Sequence, residues 1–167
     1  DYAAYCLPRG YTRAIQMTSY PIEIVQTPKR FSIFFEVDDT KLVPTDGRKH
    51  FQDDDPSWLG HSIGSYEGDT LVVDTNGFNG KTWIDTAGHL SSDQLHIVQR
   101  FRNLDANHLE YEVTWEDPKM YKQPFKKTEV WVRMKPDVEL LEFICQENNV
   151  VGNELLERLG PAKVLAK

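Results

Sequence analysis

The chain has 167 residues, a length that suits one domain with a substantial core and is too short for two comfortable domains. Its 26 acidic and 19 basic residues give a formal net charge of −7, which disfavours contact with nucleic acid and with anionic membrane surfaces. The longest apolar runs fall far short of the roughly 20 residues that a membrane-spanning helix needs. We therefore expect one domain over residues 1–167, with no nucleic-acid partner and no membrane insertion.

The two cysteines, Cys6 and Cys145, lie near opposite ends of the chain and lack the close spacing of metal ligands. Two interpretations are open: two buried free thiols, or a disulfide that ties the N-terminal arm, residues 1–20, to the last predicted strand. We favour the disulfide, which implies an oxidising, extracytoplasmic compartment, periplasmic or secreted. The first residue, Asp1, is not Met, and we expect that an upstream segment such as a signal peptide has been removed.

The first predicted strands follow the N-terminal arm. Residues 22–27 and 30–37 are rich in aromatic and β-branched side chains, and Pro28 breaks the chain between them. Residues 41–44 are a candidate short return strand. The segment 45–56 has the Gly, Asp and Pro content of a long surface loop, and we expect it to be a candidate lid.

The clearest hairpin signal lies in the middle of the chain. Residues 61–67 and 69–75 flank Gly68, which tolerates the positive φ of a tight turn. The segment 76–93 then mixes glycines with aromatic and titratable side chains and shows no sustained period. Long loops of this kind in compact domains are usually functional.

A second hairpin follows, because residues 95–102 and 108–116 both alternate strictly between apolar and polar side chains. We expect pairing about the turn 103–107 to set Arg100 near Glu110. Such charges predict a solvated ladder on the outer face of the sheet.

The last predicted elements are strands at 127–134 and 139–146 and a helix over 150–160, which Gly160 and Pro161 would end. The predicted fold class is therefore all-β, an antiparallel meander barrel of about eight or nine strands with a C-terminal helix. A barrel of about eight strands either fills with side chains or holds one small ligand.

A family resemblance rests on four sequence runs, which are PIEIVQTPKRFSIFFE, DPSWLGHSIGSYEGDTLVVDTNGFN, TWIDTAGHLSSDQLHIVQRFR and EFICQENN. Together these runs resemble a family of exported, mostly uncharacterised bacterial proteins with a lipocalin-like, calycin-type β-barrel. The resemblance covers residues 6–149. It implies an extracytoplasmic β-barrel domain, and no reaction or ligand belongs to the family as a whole.

Candidate acid–base groups concentrate in the central hairpin and the loop and strand that follow it. Histidine titrates near neutrality, and a nearby carboxylate raises its basicity and fixes its tautomer. We predict His61 or His96 as the acid or base, with Asp74 or Asp85 as the orienting carboxylate. A zinc site of His61, His89 and His96 is disfavoured, because no HxH or HxxxH spacing brings two of them onto one face. We therefore expect no metal and no cofactor.

The side of the sheet on which Asp74 and His96 lie is left open by the sequence. Leu71 and Val73 have the opposite parity to Asp74, so an apolar core would put Asp74 in water. A polar, ligand-holding interior would reverse this arrangement. His96 presents the same two alternatives beside Ile97.

Candidate substrate-binding residues extend over the same part of the chain. Trp83 lies in the glycine-containing loop, where a large apolar side chain indicates a pocket mouth or a partner. The predicted substrate-binding set is Tyr66, Trp83, His89, Arg100 and Glu112. We expect a concave pocket inside the barrel that opens toward the loop 76–89, lined by at least two of His61, Asp74, Trp83, Asp85 and His96.

Two functions from different classes fit these residues. The first is a cofactor-independent enzyme that performs non-covalent acid–base chemistry, such as isomerisation, cyclisation or dehydration, on a small, largely apolar organic molecule. The alternative is a non-catalytic barrel that holds such a ligand, or that contacts a glycan or protein through Trp83 and residues 53–55. The sequence leaves open whether two copies form a homodimer.

Overall fold

The structure of the chain is a computed structural model that describes residues 2–16, 20–37, 40–51, 55–145, 147, 154, 157 and 158. A 3-10 turn and a short helix, α1, come before the first strand. No helix among the described residues is long and apolar enough to cross a membrane. The helical turn is Tyr2–Tyr5 and α1 is Tyr11–Ile15, and the described strands are β1 (Ile22–Thr27), β2 (Arg30–Phe35), β3 (Lys41–Pro44), β4 (His61–Glu67), β5 (Thr70–Asn76), β6 (His96–Asn103), β7 (His108–Glu116) and β8 (Phe125–Val132).

The strands form two antiparallel sheets, so the predicted β-rich fold is confirmed. Strands β1 to β3 make a three-stranded sheet and β4 to β8 make a five-stranded sheet, each in chain order as in a meander. Among the described strands, no ladder joins β3 to β4 or β8 to β1. The predicted closed barrel is therefore wrong, and the two sheets form separate layers.

The two layers meet closely where β3 lies over β4. A Cβ atom at Gly64 would lie 3.0 Å from Val43 Cγ1 and 2.9 Å from Thr45 Cγ2. The missing side chain at Gly64 thus lets β3 approach β4 face to face, where a larger residue would hold it off. The long connection between β3 and β4 carries the chain from the first layer into the second. The strands therefore follow chain order, as in the predicted meander, but form two sheets instead of one.

Alternating side chains fill the space between the two sheets. Val73 of β5 and Ile97 of β6 are fully buried. Phe31 of β2 meets Phe101 of β6 across the layers, with ring centroids 5.1 Å apart. Tyr11 of α1 is fully buried in the same cluster. Burial of each large apolar side chain stabilises the fold by about 1.5–3 kcal/mol. The packing of these side chains is therefore the main interaction that holds the two sheets together.

The outer face of the five-stranded sheet carries the side chains of opposite parity. Asp74 and His96 are each partly exposed, whereas their neighbours Val73 and Ile97 are fully buried. The apolar-core alternative is therefore the one that the structure adopts. Asp74 and His96 lie on the outer face because a strand sends successive side chains to opposite sides.

The β6–β7 hairpin has a register two residues away from the expected one. Arg102 lies opposite Glu110, and Arg100 lies opposite Glu112, so the expected Arg100–Glu110 pair is wrong. Within the turn, the Asp105 carboxylate accepts the backbone N–H of His108 at 3.0 Å. A shift of two residues keeps each side chain on its face.

The chain after β8 differs from the prediction. Residues 133–145 are irregular, so the predicted strand 139–146 is wrong over its described part. Instead of joining a ladder, the N–H of Leu141 donates to the Glu36 carboxylate at 3.0 Å. The predicted C-terminal helix, 150–160, lies outside the described residues apart from positions 154, 157 and 158.

The predicted disulfide is confirmed. Cys6 and Cys145 are bonded, with Cα atoms 5.5 Å apart and 139 positions between them in sequence number. The bond ties the N-terminal arm to the irregular segment after β8 rather than to a strand. The covalent loop that it closes contains all the described strands.

Candidate functional site

A chain of hydrogen-bonded titratable side chains runs across the outer face of the five-stranded sheet. His61 Nδ1 lies 2.8 Å from His50 Nδ1, and His50 Nε2 lies 2.8 Å from Asp74 Oδ1. The other carboxylate oxygen, Asp74 Oδ2, lies 3.0 Å from His96 Nε2. We call His61, His50, Asp74 and His96 the relay. Glu116 stands at its end, with Oε2 3.6 Å from His96 Nδ1.

The antiparallel order of the strands brings the relay together. His61 begins β4 and His96 begins β6, whereas Asp74 lies near the end of β5. Because neighbouring strands run in opposite directions, all three lie at the same end of the sheet. His96 lies directly opposite Glu116 of β7. Asp74 and His96 are diagonal neighbours on one face, a spacing that long side chains can bridge.

His50 enters the relay from the connection between β3 and β4. The predicted candidate lid, 45–56, therefore does supply a side chain to this face. Phe51 follows it, and the centroid of its ring lies 4.6 Å from that of His61. Phe51 thus adds an exposed apolar surface next to the imidazoles.

Hydrogen bonding fixes the proton positions along the relay. An ionised carboxylate only accepts hydrogen bonds, so His50 and His96 each donate an Nε2–H to Asp74. In the tautomer of His50 that carries its proton on Nε2, Nδ1 is an acceptor and receives the Nδ1–H of His61. In this arrangement the deprotonated nitrogen of His61 is Nε2. One carboxylate therefore orients His50 and His96 directly and His61 through His50.

The hydrogen bonds of the relay shift the pKa values of Asp74 and His96 in opposite directions. The hydrogen bond from His96, supported by the one from His50, lowers the pKa of Asp74 despite partial burial. The hydrogen bond to Asp74, together with the nearby Glu116 carboxylate, raises the pKa of His96. Asp74 is thus held ionised, and His96 is held as an imidazolium to a higher pH than an ordinary histidine.

The relay is accessible from solvent. The side chains of Asp74 and His96 are 38% and 36% exposed, and that of His50 is 19% exposed. A small molecule can therefore reach these groups from the outer face. The described part of the chain has no group of three or more His, Cys, Asp or Glu side chains arranged to hold a metal ion.

A second group lies in the loop 77–95 and contains three predicted site residues. Asp85 Oδ2 lies 2.6 Å from His89 Nδ1, and Asp85 Oδ1 accepts the backbone N–H of Ala87 at 2.9 Å. These bonds lower the pKa of Asp85, although partial burial opposes them. The Trp83 ring packs beside Gly88 in the same turn. Asp85 thus orients His89 rather than His61 or His96.

The remaining predicted residues lie apart from the relay. Arg100 pairs with Glu67, and Glu112 pairs with Lys126 at 2.8 Å, in the charge ladder of the outer face. The Tyr66 hydroxyl accepts a hydrogen bond from Gln26 Nε2 at 2.6 Å, across the two sheets. The structure therefore gives Arg100 and Glu112 ladder partners and places Tyr66 on the inner side.

An open groove lies between the sheets, on the side where β1 and β8 face each other without pairing. Its volume is about 1280 Å³, and Phe31, Phe101 and Trp131 are among its lining residues. Tyr66 also lines it, but none of His61, Asp74, Trp83, Asp85 and His96 does. The expected pocket, lined by at least two of those five residues, is therefore wrong for this groove, because strand parity puts the relay on the other face.

The sequence interpretation missed His50. It lies in a loop whose composition predicts only irregular surface structure, and no periodic pattern relates it to β4 or β5. The one available signal was a histidine placed shortly before a strand that begins with another histidine. The Asp74–His96 pair had a stronger signal, because both share the polar parity of adjacent strands.

No protein-family model, no curated protein and no solved structure matches this chain. The resemblance to exported lipocalin-like proteins thus stays a prediction.

Proposed function

We propose that the chain is a cofactor-independent enzyme that transfers protons on a small, largely apolar organic molecule. The observation that carries this proposal is Asp74, which holds one imidazole on each carboxylate oxygen. A carboxylate that orients a histidine is the usual support for a general acid or base. His96 contacts this carboxylate directly and His61 is linked to it through His50, so one site holds two differently placed imidazoles that can serve as acid and base.

The roles follow from the charges. His96, between Asp74 and Glu116, is the general acid, because its raised pKa keeps it protonated to a higher pH than an ordinary histidine. His61 is the general base, because it lies at the opposite end of the relay from His96 and is linked through His50 to the Asp74 carboxylate. Asp74 stays ionised and orients both sides. The surplus of carboxylates around the site favours a neutral or cationic substrate over an anionic one.

The reaction class is a proton shift along a carbon framework. The base removes a proton from a carbon next to an electron-withdrawing group, and the acid returns a proton at a second position. Atoms and electrons balance without an added oxidant or reductant. Isomerisation and cyclisation use this pair of steps, whereas in a dehydration the acid protonates a hydroxyl group that leaves as water. The exposed ring of Phe51 offers an apolar surface for the substrate.

Deuterium transfer tests the proposal even while the substrate is unidentified. The protein is incubated in D2O with a panel of neutral ketones and with an organic extract of bacterial cells. Mass spectrometry then detects compounds that gain deuterium only when protein is present. General acid–base catalysis contributes about 10²–10⁴-fold, so His96→Gln and His61→Gln should each slow the transfer by about that factor.

A matched control is His108→Gln. His108 is also paired with a carboxylate, Asp105 at 2.8 Å, but lies at the β6–β7 turn and outside the relay. Its replacement should leave deuterium transfer unchanged. Equal transfer by the wild type, His96→Gln and His61→Gln would refute the assignment of acid and base.

A second candidate function is ligand binding in the groove, which its size and aromatic lining favour. Trp131 stacks on Tyr111, with ring centroids 4.4 Å apart, and lines the groove. A neutral fluorophore such as N-phenyl-1-naphthylamine should therefore bind with quenching of tryptophan emission. Trp131→Ala should weaken this binding, and Trp83→Ala, outside the groove, should not. A binder returns its ligand unchanged, whereas an enzyme releases a different compound.

The place of action that we propose is extracytoplasmic. The Cys6–Cys145 bond supports it, because disulfides form and persist in oxidising compartments. Membership of an exported, lipocalin-like family would agree with the same location.

A further inference from the structure

A buried lysine contacts the segment that leads into the relay. Lys41 is the first residue of β3, and only 2% of its surface is exposed. Its Nζ donates hydrogen bonds to the carbonyl oxygens of Leu59 and Gly60, the second at 3.2 Å. Leu59 and Gly60 are the two residues before His61. The Lys41 side chain therefore holds the peptide groups that place the first residue of the relay.

The surroundings of Lys41 do not neutralise its charge. Its Nζ lies 4.7 Å from the centre of the Tyr11 ring and donates to the two carbonyl groups. With no carboxylate among the described residues to offset the cost, burial lowers the pKa of Lys41 to about 7. An apolar side chain would fill this place without the cost of burying a charge. Core packing alone thus gives no reason for a lysine here.

The same segment is confined from the opposite side. Gly60 has a φ of +62°, and an added Cβ would lie 2.5 Å from the carbonyl oxygen of Asn76. It would also lie 3.1 Å from the ring of Phe78. Asn76 pairs with His61 in the β4–β5 ladder. The backbone before His61 is therefore fixed between β5 on one side and the Lys41 ammonium on the other.

We infer that Lys41 is a positioning residue for the relay: by holding the carbonyl groups of residues 59 and 60, it fixes His61 against His50. The inference rests on the proposed function for its importance, but its geometry can be tested without a substrate. A charged donor makes stronger hydrogen bonds than a neutral one. The groups that face Nζ are the Tyr11 ring of α1 and these two carbonyls, so the hold weakens when the ammonium loses its proton.

The test is histidine NMR on Lys41→Met and Lys41→Arg. Ring ¹⁵N spectra report the tautomer and the titration midpoint of each imidazole. In Lys41→Met we expect the midpoints of His61 and His50 to move by about 0.5–1 pH unit, with loss of the fixed tautomer of His61. Lys41→Arg keeps a cation and should move them less. His89 and His108, outside the relay, are internal controls that should not move.

A second perturbation reaches the same segment from its other side. Gly60→Ala adds a methyl group against Asn76 and should shift the His61 signals in the same way. Gly68→Ala is the matched control, because Gly68 has a nearly equal φ of +64° but has nothing within 4 Å of an added Cβ. Both variants strain the backbone, and only Gly60→Ala should disturb the relay.

Lower thermal stability with unchanged midpoints for His50 and His61, in both Lys41→Met and Gly60→Ala, would overturn the inference. If the variants do not fold, the wild type supplies the test. The carbonyl ¹³C signals of residues 59 and 60 must titrate together with Lys41 Nζ, and independent titration would also overturn it. If the NMR shifts appear as expected but no deuterium is transferred, the proposed function is refuted and the inference about Lys41 stands.

Discussion

Replacement of Asp74 by asparagine tests whether one carboxylate holds two imidazoles. Asparagine has nearly the same shape, but it is neutral and turns an N–H toward one of the two histidines. A hydrogen bond to a charged group contributes about 1.5–3 kcal/mol when shielded. Because the Asp74 side chain is 38% exposed, we take about half of this for each of its two bonds. The expected loss is about 1.5–3 kcal/mol, or about 3–12 °C in Tm for a chain of this size.

The size of this loss depends on pH in a defined direction. The pKa of His96 is raised, so its bond stabilises the fold fully below the ordinary value of 6.5 and is lost as the pH rises through the raised value. The pKa of Asp74 is lowered, so its contribution is present above the ordinary value of 3.8 and is lost as the pH falls through the lowered value. The cost of Asp74→Asn is therefore largest between about pH 4 and 6.5.

Urea unfolding near pH 5.5 and near pH 9, together with an NMR titration of His96, measures these effects. Glu110→Gln is the control, since it breaks the exposed Arg102–Glu110 pair of the outer ladder. An exposed pair contributes about 0–1 kcal/mol. Equal costs for Asp74→Asn and Glu110→Gln near pH 5.5, or an unchanged pKa of His96 in Asp74→Asn, would refute the reasoning.

Two further predictions concern the fold. Removal of the disulfide by replacing Cys6 and Cys145 with serine should cost about 5 kcal/mol in the chain-entropy model, because the bond spans 139 positions, and urea unfolding of the two forms measures it. A cost below about 1 kcal/mol would mean that the unfolded chain is already restrained. Ile97→Ala should cost about 2–5 kcal/mol, whereas the adjacent outer-face change Val98→Ala should cost clearly less. Equal costs by thermal unfolding would contradict the assignment of faces.

Local patterns in the sequence are sufficient to predict where the strands of the hairpins lie. The predicted strands 61–67 and 69–75 agree within one residue with β4 and β5, since alternation and one turn glycine specify both. Parity alone also limits Asp74 and His96 to two arrangements. The sequence does not decide between these two arrangements. The burial of Val73 and Ile97 in the core shows which face of the sheet is outside.

The arrangement of the two layers could not be read from the same patterns. Within each sheet every strand is hydrogen-bonded to its sequence neighbour, but the ladder is interrupted between β3 and β4, which instead approach closely at Gly64. His50 joins the relay through that same connection. Its partner Asp74 is 24 positions away, and no periodicity links a loop residue to a strand at that distance. Tertiary contacts, rather than propensity, complete the site.

The disulfide also changes what a protease can do to this protein. Every described strand lies between Cys6 and Cys145, so a cut in the connection 45–51 gives two polypeptides that remain covalently attached. The pieces cannot diffuse apart, and the nicked molecule keeps the mass of the intact one, plus a water, until a reductant is added. Cleavage in an oxidising medium therefore breaks the continuity of the backbone without releasing either piece.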